Sequence, residues 1–233
     1  MTNPLSAGVL LVDKPIGVTS FGVVATVRRL LGGVRTGHGG TLDPFATGLL
    51  PLLIGRRATR EASRFLQGDK EYRMTLRFGS ETDTGDLCGR ATVVRRPLPT
   101  RAQVESVLAS FVGEYHQEAP AYSALKHQGR PLYWYARRGI AVQRPPRPVR
   151  IDRISLEEYY PPDAVFVVVC GKGAYMRVLA RDIARAAGSA GHLVALRRLR
   201  VGPFSVRDAV PLGRLVESGA QQVLASLIPL ERI

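Results

Sequence analysis

The 233-residue chain lacks the residues that announce most enzyme classes. Its two cysteines, Cys88 and Cys170, are far apart and fit no metal-ligand spacing. Neither a disulfide framework nor a zinc ribbon is therefore expected, and a reducing cytoplasm is the expected setting. The four histidines (His38, His116, His127, His192) are scattered, with no HExxH and no Cys/His pattern. Zinc hydrolysis and zinc deamination thus have no ligand set. There is no GxSxG elbow, no P-loop and no dinucleotide fingerprint placed after a strand. Serine hydrolysis, nucleotide hydrolysis and hydride transfer lack their usual parts. Every long apolar stretch is broken by glycine, proline or charge before it could span a bilayer. The N-terminus has no basic segment ahead of its short apolar run, so no signal peptide is expected. No internal repeat or low-complexity segment stands out.

Negative charge is also scarce. Nineteen acidic residues face 33 basic ones, for a formal net charge of +14 and a pI near 10.6. Only Lys14, Lys70, Lys126 and Lys172 are lysines, so the other 29 basic residues are arginines. Arginine presents a planar fork that grips phosphate at two points. A polyanionic partner, nucleic acid first, is the functional reading. A compositional bias toward arginine is the bland one.

The length suits one large domain or two small ones with a sizeable core. GVLLVD (8–13) reads as a short buried strand. Ser20 can cap a helix over about 21–31 with Phe21, Val24, Val27 and Leu31 on one face, stopped by Gly32-Gly33. LLPLLI (49–54) is apolar, with Pro51 arguing against a regular strand. In KEYRMTLRFG (70–79), Tyr72, Met74, Leu76 and Phe78 alternate with polar residues, the mark of a half-buried strand. A turn-rich segment and the strand RATVVRR follow. Thr100 and Gln103 form a capping box for a helix over about 101–112, with Val104, Val107, Leu108 and Phe111 inward. AVFVVVCGKG (164–173) reads as an apolar strand ending in a glycine turn. A helix over about 175–187 has Val178, Leu179, Ile183 and Ala186 inward. HLVALRRLRVGPFSV reads as a helix end plus a strand, and the residues after about 208 as short and amphipathic. Irregular alternation with short connections favours an α+β fold, a mixed, largely antiparallel central sheet with packed helices, over a doubly wound parallel one.

Two features invite chemistry. Residues 119–148 interleave prolines, aromatics and arginines around a weak helical middle at 132–138. Such a long loop is usually functional or disordered, and its composition suits bases and phosphates together; a surface hairpin with its aromatics packed underneath is the alternative. The other feature is HGGTLDPFATGLL (38–50), where a solitary carboxylate, Asp43, sits in a glycine-containing turn. Asp-Pro is also simply a common turn dipeptide. Arg177, Arg181 and Arg185 form a stripe at four-residue spacing. Arg177 lies in the first helical turn, where the helix dipole disfavours a cation and calls for a compensating anion.

Six segments, taken in order, resemble the tRNA pseudouridine synthase B family: VDKPIGVTS (12–20), GHGGTLDPFATGLLPLLIG (37–55), DKEYRMTLRFGSETDTGD (69–86), AYSALKHQGRPLYWYARRGI (121–140), GKGAYMRVLARDI (171–183) and HLVALRRLRVGPF (192–204). The likeness runs over nearly all of residues 8–210. It implies the pseudouridine synthase fold and conversion of the T-loop uridine at tRNA position 55 to pseudouridine. The base is flipped out, its glycosidic bond is broken with the help of an aspartate, and it is reattached through C5, with no cofactor and no metal. Position by position, the resemblance makes Asp43 the catalytic aspartate, Tyr72 the tyrosine beside the target base and Arg177 the arginine that pairs with the aspartate. His38, Tyr175 and Leu196 match substrate-contacting positions, and Asp86 a polar position near the flipped nucleotides. Residues 119–148 match an RNA-gripping insertion, which makes Lys126 and Arg130 RNA contacts. Lys14 and Pro15 match a structural DKP turn.

The resemblance further implies a catalytic domain over 1–208 and a short segment over 209–233 in place of a complete C-terminal RNA-binding domain. The expected partner is the T-arm of tRNA, with no membrane, and the expected state a monomer. Ala174 departs from the threonine of the family motif. The reaction conserves atoms, so a single carboxylate that traps the sugar or removes a sugar proton can suffice. Three alternatives stand beside this one. An RNA-binding or tRNA-folding module would not need Asp43. A synthase of the same family could act on other RNA. A glycoside hydrolase would need a second acid such as Asp83 or Asp86.

Overall fold

The computed structural model describes residues 7–61, 68–93 and 96–233. Val94 and Arg95 of the expected strand RATVVRR lie outside the described residues. In chain order the strands are β1 (Gly8–Lys14), β2 (Thr36–His38), β3 (Thr47–Ile54), β4 (Lys70–Phe78), β5 (Glu81–Thr82), β6 (Ala91–Val93), β7 (Gly113–Gln117), β8 (Lys126–His127), β9 (Arg130–Pro131), β10 (Arg147–Tyr160), β11 (Asp163–Cys170), β12 (Gly191–Val201), β13 (Phe204–Ser205), β14 (Val210–Pro211) and β15 (Leu227–Pro229). The helices are α1 (Ser20–Leu30), α2 (Gly55–Arg60), α3 (Arg101–Leu108), α4 (Leu132–Ala136), α5 (Met176–Ala186) and α6 (Leu212–Ala225). The fold is α+β. Among the described residues no helix is long and apolar enough to cross a membrane.

Two compact units divide the chain. The first is Met1–Tyr72 with Leu196–Ile233, the second Arg73–Ala195. In the first unit β1 and β3 pair antiparallel from Gly8↔Ile54 to Lys14↔Gly48. β3 also pairs parallel with β12 at Thr47 and Gly48, and antiparallel with β2 at Leu52 to Ile54. Both faces of this sheet are buried. Leu10, Val12, Leu50, Leu52 and Ile54 pack with Val23, Val24 and Val27 of α1 and with Leu212, Leu215 and Val223 of α6. Val9, Leu11, Leu49 and Leu53 pack on the other side with Ala58, Val201, Phe204 and Leu230. Two-sided burial is why β1 and β3 read as continuous apolar runs rather than as alternating ones.

Pro51 sits inside β3 after all. Its carbonyl accepts from Gly39 N–H at 2.8 Å, so its nitrogen faces that same edge and not β1. On that edge the pairing with β12 has ended at Gly48 and the pairing with β2 begins at Leu52. The missing N–H therefore costs no ladder bond. Residues after 208 complete this unit: β14 and β15 share one edge of β1, parallel at Val12–Asp13 and antiparallel at Gly8–Leu10.

The second unit has strand order β4-β11-β10-β7, with β10 antiparallel to both β11 and β7. β4 buries Met74, Leu76 and Phe78 as the alternation predicts. The Thr100–Gln103 capping box is formed, and α3 buries Val104 and Leu108.

Four local expectations need correction. Thr19, not Ser20, caps α1, accepting from Gly22 N–H. Phe21 is 75% exposed, and Val23 takes the inward position instead. In α5 the inward alanines are Ala180 and Ala184, while Ala186 is exposed. HLVALRR contains no helix end; all of Gly191–Val201 is strand, because α5 has already stopped at Ala186 before Gly188 (φ +76).

Candidate active site

Asp43 lies in the turn between β2 and β3, half-buried, and the first unit fixes the backbone around it from three directions. Lys14, at the end of β1, is fully buried, and its Nζ donates to the carbonyls of Val18 (2.7 Å), Pro15 (2.9 Å) and Pro44 (3.3 Å). Ser20 is free of capping duty because Thr19 performs it. Its hydroxyl donates to Leu42 C=O (3.0 Å) and accepts from Leu42 N–H (2.8 Å). Arg198, on β12, is 1% exposed and donates from Nε to Leu49 C=O (2.7 Å), from Nη2 to Gly40 C=O (3.0 Å) and from Nη1 to Thr41 C=O (3.5 Å). Gly17 N–H to Pro44 C=O and Ala46 N–H to Asp43 C=O close the turn.

Two glycines make this arrangement possible. Gly48 has φ +98, and a Cβ there would lie 2.3 Å from the carbonyl oxygen of Arg198. Only glycine lets β3 approach β12 so closely. Gly40, at φ +117, carries one of the carbonyls that Arg198 holds.

Two buried cations thus converge on a turn that carries one carboxylate. Burial pushes the Lys14 ammonium down to about 8, with the Arg198 charge adding to the effect and the Asp43 carboxylate opposing it. His38, on β2 and half-buried, is also held below its ordinary value, first by burial and then by the Arg198 charge. Its Nδ1 is buried without a hydrogen-bond partner among the described residues. A neutral imidazole is the favoured form there. Leu196, on β12, is buried and its carbonyl accepts from the Thr47 hydroxyl at 3.4 Å. Tyr72 is buried on β4.

The other expected site residues belong to the second unit. Arg177, in the first turn of α5, is 4% exposed. Its Nη1 donates to Thr84 C=O (2.6 Å), its Nη2 to Tyr122 C=O (2.7 Å), and its Nε lies 3.8 Å from an Asp86 carboxylate oxygen. Asp86 is itself buried and accepts from the Thr84 hydroxyl (2.8 Å) and Cys88 N–H (2.9 Å). The anion called for by a cation in the first helical turn is therefore present in Asp86. The rest of the stripe is also paired: Arg185 forms a two-point pair with the buried Glu81, and Arg181 reaches Asp182 and Glu118.

Tyr175 precedes α5, and Gln117 of β7 reads its backbone on both sides. Gln117 Nε2 donates to Tyr175 C=O (3.0 Å) and its Oε1 accepts from Tyr175 N–H (2.8 Å). In the insertion, β8 and β9 form a hairpin around Gln128 (φ +45) and Gly129 (φ +79), displaying Lys126 and Arg130 in exposed positions. Arg130 and Arg138 both lie on the ring of Trp134, at 4.3 and 3.8 Å from its centre. The aromatics and arginines of this segment are thus stacked on each other, at about 0.5–1 kcal/mol per exposed contact.

Sequence reasoning missed Ser20 as a loop anchor, Arg198 and Gln117. Each acts through contacts 22 or more residues away in the chain. The signal available for Arg198 was a doubled arginine inside an otherwise apolar strand.

The chain is similar to known proteins over most of its length. The N-terminal domain model of the TruB family of pseudouridylate synthases matches residues 28–176, and a tRNA pseudouridylate synthase B C-terminal domain model matches residues 177–233. The chain is 44% identical to the tRNA pseudouridine synthase B of Desulfotalea psychrophila, over 98% of this chain and 96% of the relative. It is 50% identical to that of Bordetella avium, over 89% of this chain and 86% of the relative. In the crystal structure of a Cbf5–Nop10–Gar1 complex, one chain superposes with a TM-score of 0.73 at 28% identity. That match covers 97% of this chain, which spans 60% of the other. With the DKP turn, the clamped GTLDP turn and the buried arginine of α5 all in place, the chain belongs to the TruB family of pseudouridylate synthases.

Proposed function

We infer that this chain isomerises uridine to pseudouridine in tRNA, with Asp43 as the catalytic carboxylate. The observation that carries the reading is the clamped turn. Lys14, Ser20 and Arg198 all bond backbone around Asp43, so the turn that presents its carboxylate is fixed. A carboxylate held this way can add to the ribose C1′ as the N1–C1′ bond breaks, or remove a sugar proton to begin an elimination. In either case uracil detaches, turns, and bonds through C5 to C1′, as the aspartate–C1′ bond breaks in the first route or the sugar proton returns in the second. The C5 proton leaves and N1 gains one, so the overall change is an isomerisation.

Tyr72 offers an aromatic face to the uracil, and Arg177 serves the same reaction as a fixed positive charge. His38, Tyr175, Asp86 and Leu196 contact the flipped nucleotides. The target is the T-loop uridine at position 55. The T-arm is gripped by the 119–148 segment through Lys126 and Arg130, and the chain acts as a monomer. Residues 1–208 make up the catalytic domain, followed by a short C-terminal segment over 209–233. Flipping a stacked base costs a few kcal/mol, which phosphate contacts from an arginine-rich surface offset. Such a protein works where tRNA is, in the cytoplasm.

The test is direct. Purified protein is incubated with unmodified tRNA, and pseudouridine is mapped by carbodiimide-dependent primer extension. A new stop at position 55 with the wild type, absent with Asp43→Asn although that variant still binds tRNA, is the expected result. Product from Asp43→Asn at the wild-type rate would refute the assignment.

A further inference from the structure

The geometry points to Arg198 as a positioning residue for Asp43: one buried guanidinium ties the chain on both sides of the turn, at Gly40 and Thr41 before the carboxylate and at Leu49 after it. The proposal rests on the reading of Asp43 as the reacting carboxylate.

Four observations support it. The side chain is among the largest fully buried ones among the described residues, yet its hydrogen bonds go to backbone carbonyls and none to a carboxylate. A buried cation without a paired anion is unfavourable unless its donors are satisfied by well-aimed dipoles. Here three carbonyls supply them. Second, the three acceptors flank Asp43 in sequence, so the contact acts on the turn and not on a remote part of the core.

Third, the root of the side chain is itself immobilised. Arg198 pairs with Gly48 in the parallel β12–β3 ladder, and the missing Cβ of Gly48 brings the two backbones into contact. The guanidinium therefore measures a fixed distance from β12 to the turn. Fourth, its charge reaches the same neighbourhood that Lys14 and His38 occupy, disfavouring protonation of both. A planar fork matches acceptors in three directions. A lysine ammonium at the same place would be a single point on a flexible stem.

Two variants, Arg198→Lys and Arg198→Met, test the assignment against a merely structural role. Each is assayed for tRNA affinity, single-turnover pseudouridine formation, thermal midpoint, and backbone amide exchange over residues 39–49. Arg198→Lys is expected to fold and bind tRNA within about threefold of wild type, with a single-turnover rate at least 50-fold lower. Amide exchange in 39–49 should accelerate at least tenfold, with exchange in α6 unchanged. Near-normal turnover by Arg198→Lys would overturn the proposal, and so would unchanged exchange in 39–49. Should Arg198→Met fail to fold, Arg198→Lys alone decides. A wild-type protein that forms no pseudouridine would instead sink the functional reading, while the exchange measurement still reports whether the guanidinium holds the turn.

Discussion

Lys14 Nζ donates to the carbonyl of Pro44, the residue that follows Asp43, across 30 positions of chain. The ammonium at the end of β1 and the carboxylate of the turn are thereby coupled twice, by this backbone contact and by the Coulomb attraction between them.

That coupling is measurable because lysine is so scarce. With four lysines, a selectively labelled sample gives four side-chain NMR signals. The Lys14 signal should titrate near pH 8, and lower still in Asp43→Asn, which removes the attraction that opposes burial. The unfolded chain keeps this proton up to about 10.5 and so binds more protons than the folded one between the two values. The linkage sign is therefore that this group's contribution to stability is least favourable below pH 8 and improves as pH rises toward 10.5. Turnover should move the other way, because a neutral amine is a weaker donor to the three carbonyls that fix the turn. A Lys14 signal that titrates above pH 10 would contradict this.

Gly48→Ala should be among the most destabilising single-methyl additions in the chain. The new Cβ would collide with the Arg198 carbonyl, and the residue would be forced to keep φ +98. A loss above about 3 kcal/mol is expected in chemical denaturation. Gly213→Ala is the control: a Cβ at that α6 position meets nothing within 4 Å, so the change should be neutral or slightly stabilising.

Gln117→Leu keeps most of the side-chain volume but removes both hydrogen bonds to the Tyr175 backbone. The Tyr175 N–H is left unpaired, at a cost of about 1–3 kcal/mol, while its C=O still accepts from Val178 and Leu179 N–H. For a chain of this size that lowers the thermal midpoint by roughly 3–10 °C. Since Tyr175 starts α5, the turnover number should fall with it. A melting curve identical to wild type would show that the contact contributes nothing.

Arg177→Lys exchanges a planar fork that reaches two separate carbonyls, those of Thr84 and Tyr122, for a compact charge on a flexible stem that does not reproduce the fork's geometry. The expected effects are a loss of about 1–3 kcal/mol in stability and a fall in single-turnover rate of about 100-fold. Full activity at saturating tRNA would remove Arg177 from the reaction.

Elements defined by neighbours in sequence were legible without coordinates. The alternation of Tyr72, Met74, Leu76 and Phe78 depends only on the two-residue period of a strand, and the Thr100–Gln103 box lies within one helical turn. Where local signals competed, sequence alone could not rank them. Thr19 and Ser20 are equally good caps by residue type; the contact of Ser20 with Leu42, 22 residues on, leaves the cap to Thr19. Phe21 fitted the inward stripe of α1 as well as Val23 did, and only the packing of β1, β3 and α6 against that helix set its rotation.

By itself, then, the sequence determined the α+β class, the basic character, most element positions and the prominence of Asp43, because periodicity, charge and short motifs are properties of neighbouring residues. The clamp around Asp43 was decided by tertiary structure alone. Lys14, Ser20 and Arg198 reach the turn from three separate elements. A buried donor takes whichever carbonyl the folded backbone presents, and linear order carries no record of that choice.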